Sequence, residues 1–270
     1  MAGTKRSPDE SGALATAREA FLATIRSRAT LPRASAARYN GLRLGLNPLF
    51  ALIIRSRSLD LFLHSSEGDR IAVASASQFE AGHGSGRYLD FAFMARAKPE
   101  WAAPVLHGDL MLPMAGAHGA LYLDLYDPTQ SLSFPDFIGC REKTLRETMD
   151  GLKPWWNIRR FGKLTPHLDP WKSEYRIEAL EPVRASNEQV RAFFAAARRA
   201  ISDYLLVWLE SLEALERPLG PKDSNRNAEA IECFVQTLYA KDPAARLGKA
   251  LFTPATFRGF FLDGFWGIRP

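Results

Sequence analysis

Cysteine is scarce in this chain: the 270 residues include only Cys140 and Cys233. Their wide separation excludes a CxxC redox or zinc motif and a disulfide framework, and it favours a reducing, cytoplasmic location. Because an iron–sulfur cluster normally needs four thiolate ligands, we expect the chain to have no cluster of its own. The cysteine content therefore excludes both a disulfide-stabilised secreted domain and a self-contained iron–sulfur protein.

Long hydrophobic runs are also missing. No apolar stretch reaches the ~18 residues that a membrane span requires. The first residues, MAGTKRSPDESG, lack the apolar core of a secretory signal, so we predict a disordered tail at 1–12. The hydrophobic fraction of 46% and the charged fraction of 24% are ordinary for a globular protein. We therefore predict one large domain, or two at most, without membrane association.

The motifs of nucleotide-binding enzymes and common hydrolases are absent as well, since no GxxxxGKS/T, HExxH or GxSxG sequence occurs. Gly82, Gly84 and Gly86 are superficially similar to a dinucleotide fingerprint. Their spacing is wrong, however, and they join two predicted strands instead of opening a helix, so we interpret them as a hairpin loop. We accordingly expect no metal site and no bound cofactor.

The positive charge of the chain is not concentrated in one tract. The net charge is +5, and the densest local group is Arg159–Lys163. Such a balance suits nucleic acid, an anionic membrane, an acidic partner protein or an ordinary solvated surface. A nucleic-acid binder would place basic and aromatic side chains along one strand face, and the predicted strands are poor in Lys and Arg. We therefore predict no nucleic-acid partner.

Short alternating runs separated by turn-like sequences predict a sheet. The predicted strands are 58–65, 70–79, 87–96, 103–113, 119–126 and an edge strand at Trp171–Leu180. No crossover helix fits between the first five, which favours an antiparallel meander. The predicted helices are 13–29, 135–151, 187–215, 228–240 and 253–265, with a polar loop at Glu216–Asn225. The expected fold class is α+β, a single antiparallel sheet with helices on its faces.

The strand at 103–113 places a carboxylate among apolar neighbours. Its strict alternation puts Val105, His107, Asp109 and Met111 on one face. A carboxylate on such a face must be paired, hydrated or used in chemistry, because burying it alone is costly. The alternative is that Asp109 faces water on a half-exposed strand, and the residue pattern alone favours that alternative.

Two consecutive runs, PVLHGDLM at Pro104–Met111 and GALYLDLYDPTQ at Gly119–Gln130, resemble the ferredoxin-dependent bilin reductases. This family includes the phycocyanobilin-forming enzymes and is related to the red chlorophyll catabolite reductases. Its members have a Pro, a short apolar run, an Asp, a Gly-rich turn and then a strand ending in an Asp-Leu-Ser-Pro-Thr-Gln-like sequence. The resemblance implies an α/β/α sandwich formed by a single bilin reductase-like domain at 13–270, with Asp109 as a catalytic residue.

The C-terminal part of the chain extends the resemblance. Tyr239–Gly248 and the phenylalanine-rich sequence after it are similar to the family's ending, in which the residue matching Asp242 donates a proton to the bilin in several relatives. Lys163–Pro166 and Ser173–Tyr175 resemble a stretch in which a basic residue binds a substrate propionate, which implies that role for Lys163. From the residues alone, Asp242 followed by Pro is typical of a helix start.

The chain also departs from the family pattern. Phycocyanobilin-forming enzymes have a His that faces the catalytic aspartate, and its position falls here near Phe91 or Ala92, so we assign Ala92 to the substrate-binding surface. A family Glu falls among residues without an acid, and Glu80 is expected to lie in the loop beyond them. His107 could replace the missing His as a catalytic residue, or it could be an ordinary partly buried histidine, which is the commoner case.

The resemblance implies reduction of biliverdin to a phytobilin. Electrons would come one at a time from the 2Fe–2S cluster of reduced ferredoxin, an acidic protein that a basic surface would bind, and aspartates would deliver the protons. A phytochrome-type apoprotein would accept the product, and the enzyme would act as a monomer. The alternative is a non-redox bilin carrier or lyase-like protein with the same fold.

Overall fold

A computed structural model describes residues 16–25, 59–83, 86–112, 119–156, 166–180, 186–242, 245–246, 248–249 and 252–268. The predicted tail at 1–12 lies outside the described residues. So does Lys163, the predicted propionate-binding residue.

One six-stranded sheet forms the centre of the molecule. Its strands are β1 (Leu59–Ser66), β2 (Ile71–His83), β3 (Gly86–Ala97), β4 (Val105–Leu112), β5 (Ala120–Tyr126) and β6 (Ile177–Leu180). All neighbouring pairs are antiparallel and the spatial order follows the chain order, which confirms the predicted meander. The pairing of His83 with Gly86 closes the hairpin predicted from the glycine triplet.

The described helices cover both faces of this sheet. They are α1 (16–25), α2 (Phe134–Ile138), α3 (Glu142–Leu152), α4 (Asn187–Ala214), α5 (Pro221–Lys241) and α6 (Pro254–Arg258), which continues into a π-helical turn at Gly259–Phe265. The predicted capping box opens α4, because Ser186 and Gln189 exchange side-chain and backbone hydrogen bonds. Within the described ranges, no helix has the length and apolar character needed to cross a membrane.

Three of the larger differences from the sequence predictions concern the helices and the edge strand. The prediction of a polar loop over Glu216–Asn225 was wrong, because α5 begins at Pro221. Proline suits the first position of a helix, since the N–H group that it lacks would have no hydrogen-bond partner there. The helix predicted at 135–151 is divided at Gly139, whose φ of 59° ends α2. The predicted strand at Trp171–Leu180 is confined to β6, since a 3₁₀ turn occupies Pro166–Trp171.

One side of the sheet, the apolar face, is covered by α1, α2, α3 and α4. Its strand residues are Ala74, Ala76, Phe91, Phe93, Ala95, Leu106, Leu110, Leu121, Leu123, Leu125, Ile177 and Ala179, all buried and hydrophobic. Phe91 and Phe93 stack with ring centroids 5.4 Å apart, and Phe21 of α1 contacts both rings. Because each large side chain contributes roughly 1.5–3 kcal/mol on burial, this face is the main source of stability.

The opposite side, the polar face, is covered by α5 and the C-terminal π-helical turn. Its buried polar strand residues are Ser75, Ser77, Arg96, His107, Asp124 and Glu178. Among the side chains that the structure describes, the fully buried ionisable groups of the strands lie on this face, whereas the buried strand residues of the apolar face are hydrophobic. The two covered faces confirm the α/β/α sandwich. They also locate the chemistry, because buried polar groups are costly unless the structure uses or satisfies them.

Candidate functional site

The centre of the polar face is a pair of side chains on β4. His107 Nε2 lies 3.9 Å from Asp109 Oδ2, and the two side chains keep 11% and 27% of their exposure. Asp109 is therefore mostly enclosed, which argues against the water-facing strand position that the residue pattern favoured. A carboxyl group in this setting is expected to titrate abnormally.

The pKa values of this pair move in opposite directions. Burial, and to a smaller extent the nearby charge of Asp242, raise the pKa of Asp109 to about 8. Burial lowers the pKa of His107 to about 4, although Asp242 acts in the opposite direction. Both shifts favour neutral forms, so at neutral pH Asp109 retains a proton and His107 is uncharged. The pair is then a buried acid beside a neutral imidazole.

Asp242 reaches this site from the end of α5. Its backbone N–H donates to Leu238 O at 2.9 Å, as the C-cap of that helix, and its Oδ1 accepts from Ala245 N at 3.3 Å. The side chain thus caps the next turn, as the Asp-Pro sequence predicts. The same carboxylate acts electrostatically on Asp109 and His107. The tertiary structure therefore brings together the three residues that the sequence assigned to catalysis.

Ala92 occupies the position across the sheet from this acid. It is the direct cross-strand partner of Asp109, on the polar face, and it is half-buried. Phe91 points into the opposite core, so of the two neighbouring positions only Ala92 lies on the same face as Asp109. Glu80 lies within β2 and not in a loop, because the β2–β3 hairpin extends to His83. The expectation for Glu80 was therefore wrong.

An aromatic wall surrounds His107. Its ring centroid lies 5.4 Å from Trp266, 6.2 Å from Tyr126 and 6.4 Å from Phe265. Two buried nitrogens in this wall, His107 Nδ1 and Trp266 Nε1, have no hydrogen-bond partner among the described residues. Trp266, Tyr126 and Phe265 are themselves buried, so they shield His107 from water.

The C-terminal segment that provides this wall is fastened to the sheet. Arg96 Nε donates to Trp266 O at 3.0 Å and Arg96 Nη2 donates to Gly267 O at 2.9 Å. Ser75 Oγ donates to Phe265 O at 2.8 Å. The sequence analysis missed Arg96 and Ser75. The signal was a polar residue on a strand among apolar neighbours, the same signal that singled out Asp109.

His167 is a second residue that the sequence analysis missed. It lies in the Pro166–Trp171 turn, just after the segment that resembles the family's propionate-binding stretch. Burial lowers its pKa, Asp242 raises it, and Lys241, Lys172 and Arg246 lower it further. His167 Nε2 is buried and lacks a hydrogen-bond partner in the described part of the chain. His167 thus lies near one carboxylate, Asp242, and three cationic side chains.

A hydrogen-bonded chain extends from this site into the sheet. Tyr126 Oη donates to Tyr122 Oη at 2.6 Å, and Tyr122 Oη donates to Asp124 Oδ2 at 3.3 Å. Asp124 Oδ1 accepts from Leu125 N at 2.8 Å and from Ser173 Oγ at 2.6 Å. Burial raises the pKa of Asp124 to about 6, although the Ser173 and Leu125 donors lower it. Asp124 therefore titrates near neutrality in a fully enclosed position.

Metal binding has no support in the described residues, where no three His, Cys, Asp or Glu side chains could together hold an ion. Cys140 and Cys233 are both exposed, and they form no disulfide bond with each other. What the site offers chemically is a neutral carboxyl group, a second carboxylate, an imidazole and an aromatic wall.

The fold is similar to that of phytochromobilin synthase from tomato, whose selenomethionine form was crystallised in complex with biliverdin. The two structures superpose with a TM-score of 0.68 over 93% of this chain and 82% of the other, at 19% sequence identity. This similarity establishes the shared fold. No protein-family model and no curated protein sequence matches the chain.

Proposed function

We propose that this chain is a ferredoxin-dependent bilin reductase, which reduces biliverdin IXα to a phytobilin. The observation that carries the proposal is the position of Asp109. It is a carboxyl group whose pKa is raised to about 8, placed on the polar face of a fold shared with a biliverdin-bound phytochromobilin synthase. A buried acid that stays protonated at neutral pH is suited to donate a proton to a substrate that receives electrons.

The substrate would lie over β4, between the polar face and the C-terminal segment. Its conjugated rings would lie beside Asp109, whose side chain keeps 27% of its exposure, close to His107. Its propionates would be held by cationic side chains, with Lys163 as our candidate from the sequence. The cations near His167, which include Lys241 and Arg246, support an anionic end of the substrate close to that residue. Ala92 would leave room for the ligand beside Asp109.

Two carboxyl groups would serve two proton transfers. Adding two electrons to one double bond of biliverdin consumes two protons, and a four-electron reduction consumes four. Asp109 would donate at one carbon and Asp242, at the end of α5, at another. Because the two groups approach from different elements, each would face a different part of the tetrapyrrole, which is how paired acids can direct separate steps.

His107 has a more limited role in this proposal. Burial favours its neutral form, with the pKa lowered to about 4. Its Nε2 lies 3.9 Å from the carboxyl oxygen, beyond hydrogen-bond distance, so the two side chains would move closer for the imidazole to accept or share the proton of Asp109. It would thus replace the histidine that Ala92 does not provide.

Electrons would come from outside the chain. The protein contributes no redox cofactor in this proposal, and reduced ferredoxin, through its 2Fe–2S cluster, would deliver them singly. The net charge of +5 favours association with an acidic donor of this kind. A phytochrome-type apoprotein would be the natural acceptor of the phytobilin, and the enzyme would work as a monomer.

One assay tests the proposal directly. Purified protein mixed with biliverdin should form a coloured complex with a shifted visible spectrum. Adding ferredoxin, its reductase and NADPH should convert the pigment to a bluer-absorbing product, whereas NADPH alone should do nothing. Ferredoxin omitted from the full mixture is the matched control. Binding without turnover would overturn the reductase proposal and indicate a bilin carrier instead.

A further inference from the structure

We infer that the buried chain formed by Asp124, Tyr122 and Tyr126 conducts protons to the Asp109 site between reduction steps. The inference rests on the proposed bilin reduction, because it assigns a source to the protons which that reaction consumes. Tyr126 and Tyr122 would act through Asp109 and would not touch the reacting carbon themselves.

The need for such a path follows from stoichiometry. Asp109 donates a single proton and then remains a carboxylate until it is reprotonated. A planar substrate lying over β4 would cover the same face, so a further donation requires a proton from beneath the substrate or from the sheet. The neighbour of Asp109 on β4, His107, is a neutral imidazole at neutral pH and has no extra proton to give.

The register of the sheet places the chain beside the site. Tyr122 is the direct cross-strand partner of Asp109, and Asp124 is the direct partner of His107. The Tyr126 and His107 rings lie 6.2 Å apart. All three members of the chain are buried, with Asp124 and Tyr126 at 0% exposure and Tyr122 at 4%. The chain is therefore separated from bulk solvent along its length.

Hydrogen-bond geometry permits transfer within the chain. The Tyr126–Tyr122 oxygen distance is 2.6 Å and the Tyr122–Asp124 distance is 3.3 Å. A tyrosine hydroxyl both donates and accepts a hydrogen bond. The hydrogen bonds of the chain can therefore run toward Asp124 or, after the hydroxyl groups rotate, toward Asp109. The acid at its inner end is suited to reload the site, because the pKa of Asp124 is raised to about 6 by burial.

The transfer balances without any change in oxidation state. Protonated Asp124 gives its proton to Tyr122 Oη as Tyr122 gives its own to Tyr126 Oη. Tyr126 in turn releases one proton toward the Asp109 carboxylate through a bridging water. One O–H bond breaks and one forms at each tyrosine, and the net result is a proton moved from Asp124 to Asp109.

The edge of the sheet provides the connection to solvent. Glu178 on the edge strand β6 is the cross-strand partner of Tyr122 and is completely buried, and burial raises its pKa. Its Oε1 lies 3.9 Å from Lys172 Nζ, and Lys172 Nζ lies 2.8 Å from Oδ1 of the exposed Asp169. Neither carboxyl oxygen of Glu178 has a hydrogen-bond partner among the described residues, so in our proposal a water molecule joins Glu178 to Tyr122 and completes the path to the protein surface.

The test uses the full-length protein with bound biliverdin in a stopped-flow pH jump. The visible spectrum of the pigment reports its protonation. Tyr126→Phe keeps the ring and removes only the hydroxyl, and we expect it to slow proton uptake by at least ~10-fold. Tyr175→Phe is the matched control, because it removes a tyrosine hydroxyl bonded to a carboxylate, Glu142, on the apolar side of the sheet. It should change the rate less than ~2-fold, within ordinary variation for a distant site.

A second readout separates the relay from mere packing. With ferredoxin present, the first protonation in Tyr126→Phe should keep its wild-type rate, because Asp109 is already protonated at the start. The later protonation steps should be slower, and their solvent deuterium isotope effect should differ from that of the wild type. Tyr122→Phe and Asp124→Asn should reproduce the pattern, and they decide the question if Tyr126→Phe does not fold. Wild-type rates of proton uptake in all three variants would overturn the relay. A wild-type protein that binds biliverdin but does not reduce it overturns the proposed function alone, and one that does not bind biliverdin overturns both.

Discussion

Ala92 and Asp109 are direct cross-strand partners, and both side chains lie on the polar face of the sheet. Directly opposed Cβ atoms are about 4.5–5.5 Å apart, so a larger residue at position 92 would contact the carboxyl group. The methyl group of Ala92 can neither donate nor accept a proton. The acid of this site therefore depends on its own strand, through His107, and on Asp242 for its electrostatic environment.

Replacing Ala92 should change the titration of the site. Ala92→His would place a second imidazole opposite Asp109 and favour its ionised form, lowering the pKa from about 8. We expect the upper pH limit of biliverdin reduction to move downward and the product composition to change. Ala92→Gln, of similar size but without a titratable group, is the control. Identical pH–rate profiles for the three proteins would contradict this account of position 92.

Asp109→Asn should separate substrate binding from reduction. The variant keeps the shape of the side chain but has no carboxylic proton, so it should bind biliverdin normally and stop after electron transfer. We expect a substrate radical to accumulate and to be visible by electron paramagnetic resonance. Asp136→Asn, an exposed aspartate in α2, serves as the control. Normal turnover by Asp109→Asn would remove Asp109 from the catalytic residues.

The raised pKa of Asp109 also affects the stability of the fold. Its pKa is about 8 in the folded protein, against ~4 in an unfolded chain. Between these values the native state holds a proton that the unfolded state has released, so this contribution to stability is lost as the pH rises toward about 8. The lowered pKa of His107, about 4 in the folded protein, acts in the opposite sense up to its unfolded value of ~6.5.

Denaturant titrations of wild type and Asp109→Asn across about pH 4 to 9 test this sign. Because the variant lacks the titrating group, its free energy of unfolding relative to wild type should increase with pH, by on the order of 1–3 kcal/mol across the window. A difference that is independent of pH would show that Asp109 titrates normally in the folded protein.

Asp242→Asn should distinguish capping from catalysis. Asn retains an acceptor for Ala245 N, so the change should cost well under ~1 kcal/mol in stability. It removes the acidic group and with it the charge that raises the pKa of Asp109. We expect unchanged thermal stability, accumulation of a partly reduced bilin, and a lower upper pH limit for the first reduction step. Complete reduction at the normal rate would leave Asp242 only its capping role.

His107→Phe tests whether the imidazole is more than a packing group. Phenylalanine keeps the ring contacts with Trp266 and Tyr126 but removes both nitrogens. If His107 shares the proton of Asp109, the variant should bind biliverdin and form a different product or react slowly, as chromatography of the products would show. An unchanged product profile at the normal rate would reduce His107 to a structural residue.

The local sequence determined most of the elements. Period-two alternation placed His107 and Asp109 on one face of a strand, short turns forced an antiparallel meander, and the Ser186–Gln189 capping box located the start of α4. These features depend on neighbours within a few residues, so they can be inferred without knowledge of the fold. The predictions that were wrong, such as the loop before α5, depended on polar residues that suit an exposed helical face equally well.

Only the tertiary structure decided that these elements form a site. Asp242 reaches β4 because α5 packs across the polar face, and Trp266 covers His107 because Arg96 and Ser75 bind the C-terminal carbonyls. The alternation of residues shows which face of the sheet Asp109 occupies, but it does not show which helices cover that face. The burial of Asp109 could therefore not be predicted from the sequence pattern. The pKa of a carboxyl group depends on that cover and on charges brought near it by distant parts of the chain, which is why the acid of this protein is a property of its fold.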